Sequence, residues 1–237
     1  MTLIEVVLIN VVLFAGAYIQ GIVGFGIGIF CASLFAVYAP HMVPVSMILL
    51  STLLAVVMLL RGRNDVSIQL IKWPIIGSGF GIICAGYVVT LLTSQQFDIV
   101  FGILLLCLVA ISLTKPLLSG KFAGICAGYL SGLMGTITAI GGPPMGLLLK
   151  DTAPSVIRAN LALFFLISSV WAIAVLYIAG ALGQKELLYA LASCPGMLLG
   201  YGLSQKVKLF QNQKFVQSSI LIVSFVCAVY VINRGLN

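Results

Sequence analysis

Ser131-Gly-Leu-Met-Gly-Thr-Ile-Thr-Ala-Ile-Gly-Gly-Pro-Pro144 sits inside an apolar stretch running from Phe122 to Leu149. About 20 apolar residues are enough to cross the hydrocarbon of a bilayer as one helix. This stretch is longer, and its middle is crowded with glycine, which relaxes into backbone angles that strain other residues. It therefore reads as a helix that breaks and turns inside a membrane, with Pro143 and Pro144 opening the next helix. A second stretch, Leu3 to Ala39, is built the same way around Gln20-Gly-Ile-Val-Gly-Phe-Gly-Ile-Gly28.

Outside these two, the apolar runs have the length of single spans: Val43 to Leu60, Trp73 to Leu92, Phe97 to Leu113, Leu161 to Ala179, Leu187 to Leu203 and Phe215 to Ile232. Trp73 with Pro74 is expected at a helix start, Cys194 with Pro195 at an interruption, and Tyr38 and Tyr177 at the headgroup level. The whole chain is 62% hydrophobic and 7% charged, against roughly 25% charged in soluble domains. The expected fold is an all-α, integral membrane, polytopic helical bundle, with residues 1–237 forming a single transmembrane domain. Glu5 and the lack of a basic residue before the first run mean that this run reads as retained rather than as a cleaved signal.

The net charge of +7 does not point to nucleic acid, because the basic residues punctuate apolar runs instead of clustering beside aromatic stacking groups. They read as orientation signals. Arg61, Arg63 and Lys72 share one loop, Lys115 and Lys121 flank Leu117, and Lys206, Lys208 and Lys214 share another. If each broken stretch returns to the side it entered from, Lys150 and Arg158 join these on the cytoplasmic face. Lys185 and Arg234 then remain outside with Glu5, Asp98, Glu186 and both termini. Each half becomes a broken hairpin plus three spans, about 1–118 and about 119–237, in opposite orientations. Gly21-Ile22-Val23-Gly24 parallels Gly132-Leu133-Met134-Gly135, and Pro74 to Gly81 parallels Pro195 to Gly202. Inverted halves with breaks at corresponding places point to a transport site at the repeat interface.

The chemistry available at the breaks suits a small anion. A half-helix that starts inside the membrane offers free N–H groups and the positive end of its dipole. Gln20, Ser131, Thr136 and Thr138 can add hydrogen bonds, and Phe25 can wall a pocket. The bland reading of glycine, close helix packing, fits Gly77, Gly81, Gly124, Gly128 and Gly132 better. Other polar residues have ordinary explanations: His41 between Pro40 and Pro44 reads as an external loop residue, and Asp65, Asp98 and Asp151 as solvated. The six cysteines stand singly in apolar runs and read as packing residues, so no disulfide, metal site or cofactor is expected.

The early Gln-Gly-x-x-Gly-Phe-Gly motif, Pro40 closing its hairpin, Trp73-Pro74, the run to Gly141-Gly142-Pro143-Pro144, Arg158-Ala-Asn160 and Tyr177-x-x-Gly180 resemble the TauE/SafE family of sulfite exporters, also called the 4-toluene sulfonate uptake permease family. The resemblance implies a multi-pass plasma membrane (bacterial inner membrane) carrier for a small organosulfur compound or sulfur oxyanion, surrounded by lipid, with a homo-oligomer left open. Carried onto this chain, it makes Gln20, Gly24, Phe25, Gly26, Gly135, Thr136, Thr138, Gly141 and Gly142 the candidate substrate-binding residues, with Arg158 and Asn160 as weaker ones. Thr136-Ile-Thr138 stands where a copy of Gly-Phe-Gly would be expected, so the two half-sites need not be equivalent. An intramembrane enzyme is a poor alternative, since there is one histidine and no mid-span acid to build a catalytic group. A channel or a membrane scaffold is the remaining rival.

Overall fold

The computed structural model describes residues 2–114, 120–206 and 213–237, without the side chains of 213–217. The described residues are helical, with no strand among them. Among the described residues, seven helices are long and apolar enough to cross a membrane. In chain order, α1 is Leu3–Val23, followed by a π turn at Gly28–Ala32 that runs into α2, Ser33–Tyr38. Then come α3 (Val45–Gly62), α4 (Ile68–Leu91), α5 (Ser94–Leu113), α6 (Gly120–Thr138), α7 (Gly142–Leu149), α8 (Pro154–Ile178), α9 (Gln184–Lys206) and α10 (Gln213–Leu236).

Both long stretches break where their glycines lie, between α1 and the π turn and between α6 and α7. The first return arm ends where α1 began: His41, just past α2, has Nε2 3.4 Å from Glu5 Oε1. That end of the bundle also holds Arg234, which grips Asp98 through two bonds of 2.6 and 2.7 Å and donates from Nη1 to Ala36 O at 2.9 Å. Asp98 is thus paired rather than merely solvated. The partner lies 136 positions away, which is why no local pattern announced it. At the opposite end Arg61 lies over Tyr201, and Lys72 and Lys121 both lie over Trp73. Lys115, Leu117 and Lys208 fall outside the described residues, as does the side chain of Lys214.

Several starts come earlier in the chain than the apolar runs suggest. Trp73 and Pro74 do not open α4, which begins at Ile68, and Arg158 and Asn160 lie within α8 rather than before it. Hydropathy marks where hydrocarbon begins, whereas a helix continues through the polar interface as long as its backbone bonds do. Pro195 lies inside α9 and does interrupt its ladder. There the Asn10 side chain of α1 bridges the gap, donating to Ala192 O (3.1 Å) and accepting from Gly196 N (2.8 Å). A side chain inserted in this way is one of the few means of keeping a proline-interrupted helix satisfied in lipid.

Packing falls into pairs. The closest partners are α4 with α6, α1 with α9, α5 with α10 and α3 with α8. Lipid removes the hydrophobic drive between helices, so close backbone approach through small residues takes its place. A Cβ on Gly77 or Gly81 would run into the Ile125 or Tyr129 carbonyl of α6, and one on Gly196 or Gly200 into the Asn10 or Phe14 carbonyl of α1. Exchanging the first five helices for the last five turns α4–α6 into α9–α1 and leaves α3–α8 and α5–α10 unchanged.

Candidate functional site

The two breaks touch. A Cβ on Gly28 would come 2.5 Å from Ala139 O, and one on Gly142 would come 2.8 Å from Phe25 Cβ. Beside that contact lies a cavity of about 70 Å³, lined from the first break by Gln20, Phe25, Gly26 and Gly28 and from the second by Ser131, Gly135, Thr136, Gly141 and Gly142. Its remaining walls come from near the middle of α4 (Ile82) and α8 (Ser168, Ser169) and from Ser51 of α3.

At the first break α1 ends at Gly24, whose φ of 94° is left-handed, and Gly24 N closes on Gln20 O. Gly26 is also at positive φ, 156°. A side chain at either position would be strained. The buried Gln20 amide holds the turn: its Oε1 accepts from Ile27 N at 3.1 Å, and its Nε2 has, among the described residues, only the Met58 sulfur at 3.8 Å. That N–H₂ is therefore weakly held, on a residue that lines the cavity.

The second break is made differently. Ala139, not a glycine, takes the left-handed position, with φ 59°. Thr138 Oγ1 accepts from Ile140 N (3.2 Å) and donates to Met134 O (2.7 Å), while Ser131 Oγ donates to Gly141 O (2.6 Å). Thr136 spends its proton on Gly132 O. These hydroxyls, expected as donors to a ligand, thus already donate to backbone and keep only lone pairs. Pro143 and Pro144 remove two of the four N–H groups that the start of α7 would leave free, so that Gly141 and Gly142 supply the rest.

Seven of the eleven expected site residues therefore line one cavity: Gln20, Phe25, Gly26, Gly135, Thr136, Gly141 and Gly142. Four do not. Gly24 backs onto Arg158, whose Cγ would lie 3.1 Å from a Cβ there. Thr138 is fully buried behind the break. Asn160, also fully buried, accepts from Ser67 N (2.9 Å) and donates to Asp65 O (3.2 Å), pinning the α3–α4 connection to α8. Sequence reasoning passed over Ser51, Ser168, Ser169, Phe164 and Phe165, which also line the cavity. The adjacent Ser168 and Ser169 within an otherwise apolar span were the available signal. Among the described residues, none lining the cavity is charged.

A family model for the sulfite exporter TauE/SafE matches residues 8–231. The chain belongs to that family. Membership makes it an integral, multi-pass membrane protein of a transporter family, with a small-molecule substrate and a lipid-facing surface. No curated protein and no solved structure matches the chain.

Proposed function

We propose that the chain carries a small sulfur oxyanion such as sulfite, or a small organosulfonate, across the plasma membrane by alternating access, binding it between the two breaks. The observation that supports this most is the convergence of both breaks on one cavity with neutral hydrogen-bonding groups and no charge among its described lining residues. A fixed positive charge would hold an anion tightly and slow its release; backbone N–H groups, the Gln20 amide and Ser51 release it more readily. On the scale by which the cavity measures about 70 Å³, a water needs roughly 10–15 Å³. About five waters, or one small oxyanion, fit that space, and an aryl sulfonate would need a wider state. In this reading Gly24, Thr138, Arg158 and Asn160 hold the geometry while the seven lining residues face the anion.

The pairing of α1 with α9 and α4 with α6 supports two inverted halves, and the gathering of Arg61, Lys72, Lys121 and Arg158 at one end supports placing that end in the cytoplasm. No carboxylate faces the cavity among the described residues, so the reading needs no obligatory proton or sodium coupling. An anion leaving a negative interior gains about 2.3 kcal/mol per charge per 100 mV, a gradient of about fortyfold at tenfold per 1.4 kcal/mol. The test is sulfite efflux from proteoliposomes with potassium and valinomycin setting the potential, at equal pH and without sodium. Saturable, potential-driven flux with counterflow is expected. Flux appearing only with a proton or sodium gradient refutes uncoupled transport, large unitary conductance makes the protein a channel, and absence of flux for every sulfur oxyanion and sulfonate refutes the carrier.

A further inference from the structure

Phe25, Gly26 and Ile29 line a second cavity as well, of about 440 Å³, which is completed toward the Arg61 end of the bundle by Ser112, Lys150 and Thr152, among others. Among the described residues Phe25 is the one aromatic that borders both spaces. The half-buried Phe25 lies along α7, where Gly142 and Gly146 are one turn apart. A Cβ on Gly146 would come 2.6 Å from Phe25 Cε1, just as one on Gly142 would come 2.8 Å from Phe25 Cβ. The two glycines form a seat that only the absence of side chains leaves open. Lys150 at the rim is exposed and makes no ion pair among the described residues.

We propose that this second cavity is a recruitment vestibule for the transported anion, with Lys150 as its attracting charge and the Phe25 ring on the Gly142–Gly146 seat as the removable partition between vestibule and central cavity. The ligand class rests on the carrier reading above; the partition does not. The ring is held by apolar contact alone, so it can leave its seat without breaking a hydrogen bond. Charge belongs outside the partition and neutral donors inside it. An exposed lysine raises the local anion concentration and the rate of encounter, and past the ring no described lining residue is positively charged.

The experiment labels a single cysteine, introduced by Ser51→Cys, in a variant whose six native cysteines are replaced by alanine. Sealed vesicles are used in the orientation in which a separate Lys150→Cys variant is reactive from the bath. The probes are membrane-impermeant methanethiosulfonates carrying either a sulfonate or a trimethylammonium group. Phe25→Ala is expected to raise the labelling rate at position 51 at least tenfold, and Gly146→Ala, which pushes the ring off its seat, is expected to act in the same direction. In the Phe25→Ala background, Lys150→Gln is expected to lower the sulfonate-to-ammonium rate ratio at least threefold, and Lys150→Arg to preserve it. Equal labelling at position 51 with and without the ring overturns the partition, and an unchanged ratio in Lys150→Gln overturns the vestibule charge. Since labelling requires no transport, failure of the sulfite flux assay leaves this result readable, and normal flux beside unchanged labelling overturns the partition while the carrier stands.

Discussion

The two breaks perform the same geometric task with opposite chemistries. At the first, two glycines at positive φ make the turn and one side-chain amide, Gln20, ties it together. At the second, an alanine takes the strained position, and the hydroxyls of Ser131 and Thr138 fasten the ends. The first break brings to the cavity an amide donor held among the described residues by the Met58 sulfur alone; the second spends its hydroxyl protons internally and loses two backbone donors to proline. Two breaks that meet at one cavity can thus be fastened by different means, and of the two only the first brings a weakly held side-chain amide to its lining.

The most forceful way to break the comparison is to separate the breaks. Gly28→Val places branched carbons where a Cβ alone already meets Ala139 O at 2.5 Å. Overpacking of this kind costs about 1–3 kcal/mol, and the expected result is loss of flux by about a hundredfold with monodisperse protein retained in detergent. Flux near the wild-type rate would mean that the contact is incidental.

A pair of variants sharpens it. Gln20→Ala orphans the buried Ile27 N–H, a penalty of about 1–3 kcal/mol, and also removes the weakly held amide donor, so flux should fall at least about tenfold. Ser131→Ala removes one bond to a carbonyl, worth about 1 kcal/mol, and flux should fall no more than about fivefold. Thermal unfolding in detergent checks the stability part, and the flux assay checks the rest. Equal effects would erase the asymmetry drawn above.

The smallest effect tests the prolines. Pro144→Ala returns an N–H to the first turn of α7, and one net hydrogen bond of about 0.5–1.5 kcal/mol is expected to lower the sulfite KM about twofold to tenfold. An unchanged KM would show that this turn does not face the anion.

The spans were legible because apolar runs punctuated by basic loops leave few alternatives, and the breaks because their glycines are adjacent in sequence. Ser51, Ser168 and Ser169 were not. A hydroxyl in an apolar helix satisfies itself on a nearby carbonyl, as Ser169 does on Phe165 O at 2.5 Å, so that even the adjacent pair signals polarity without saying which cavity it faces. Arg158 and Asn160 looked site-like because they stand beside a span in a family pattern. The structure puts Asn160 to work as a clamp on the α3–α4 connection and Arg158 behind Gly24. Their roles depend on contacts about ninety or more positions away in the chain, which no local spacing encodes.

The Asn10 bridge across α9 bears on how the protein is made. Ala192 O and Gly196 N stand on either side of Pro195, and the group that joins them was synthesised 182 residues before Ala192. During biogenesis α1 therefore stands in the bilayer with that amide donating to Val6 O of its own helix at 2.9 Å and its oxygen without the Gly196 partner, while α9 arrives with one ladder donor missing at Pro195. Neither reaches its final state in lipid until the two dock, which makes the joining of α1 to α9 a late checkpoint in assembly rather than a by-product of it.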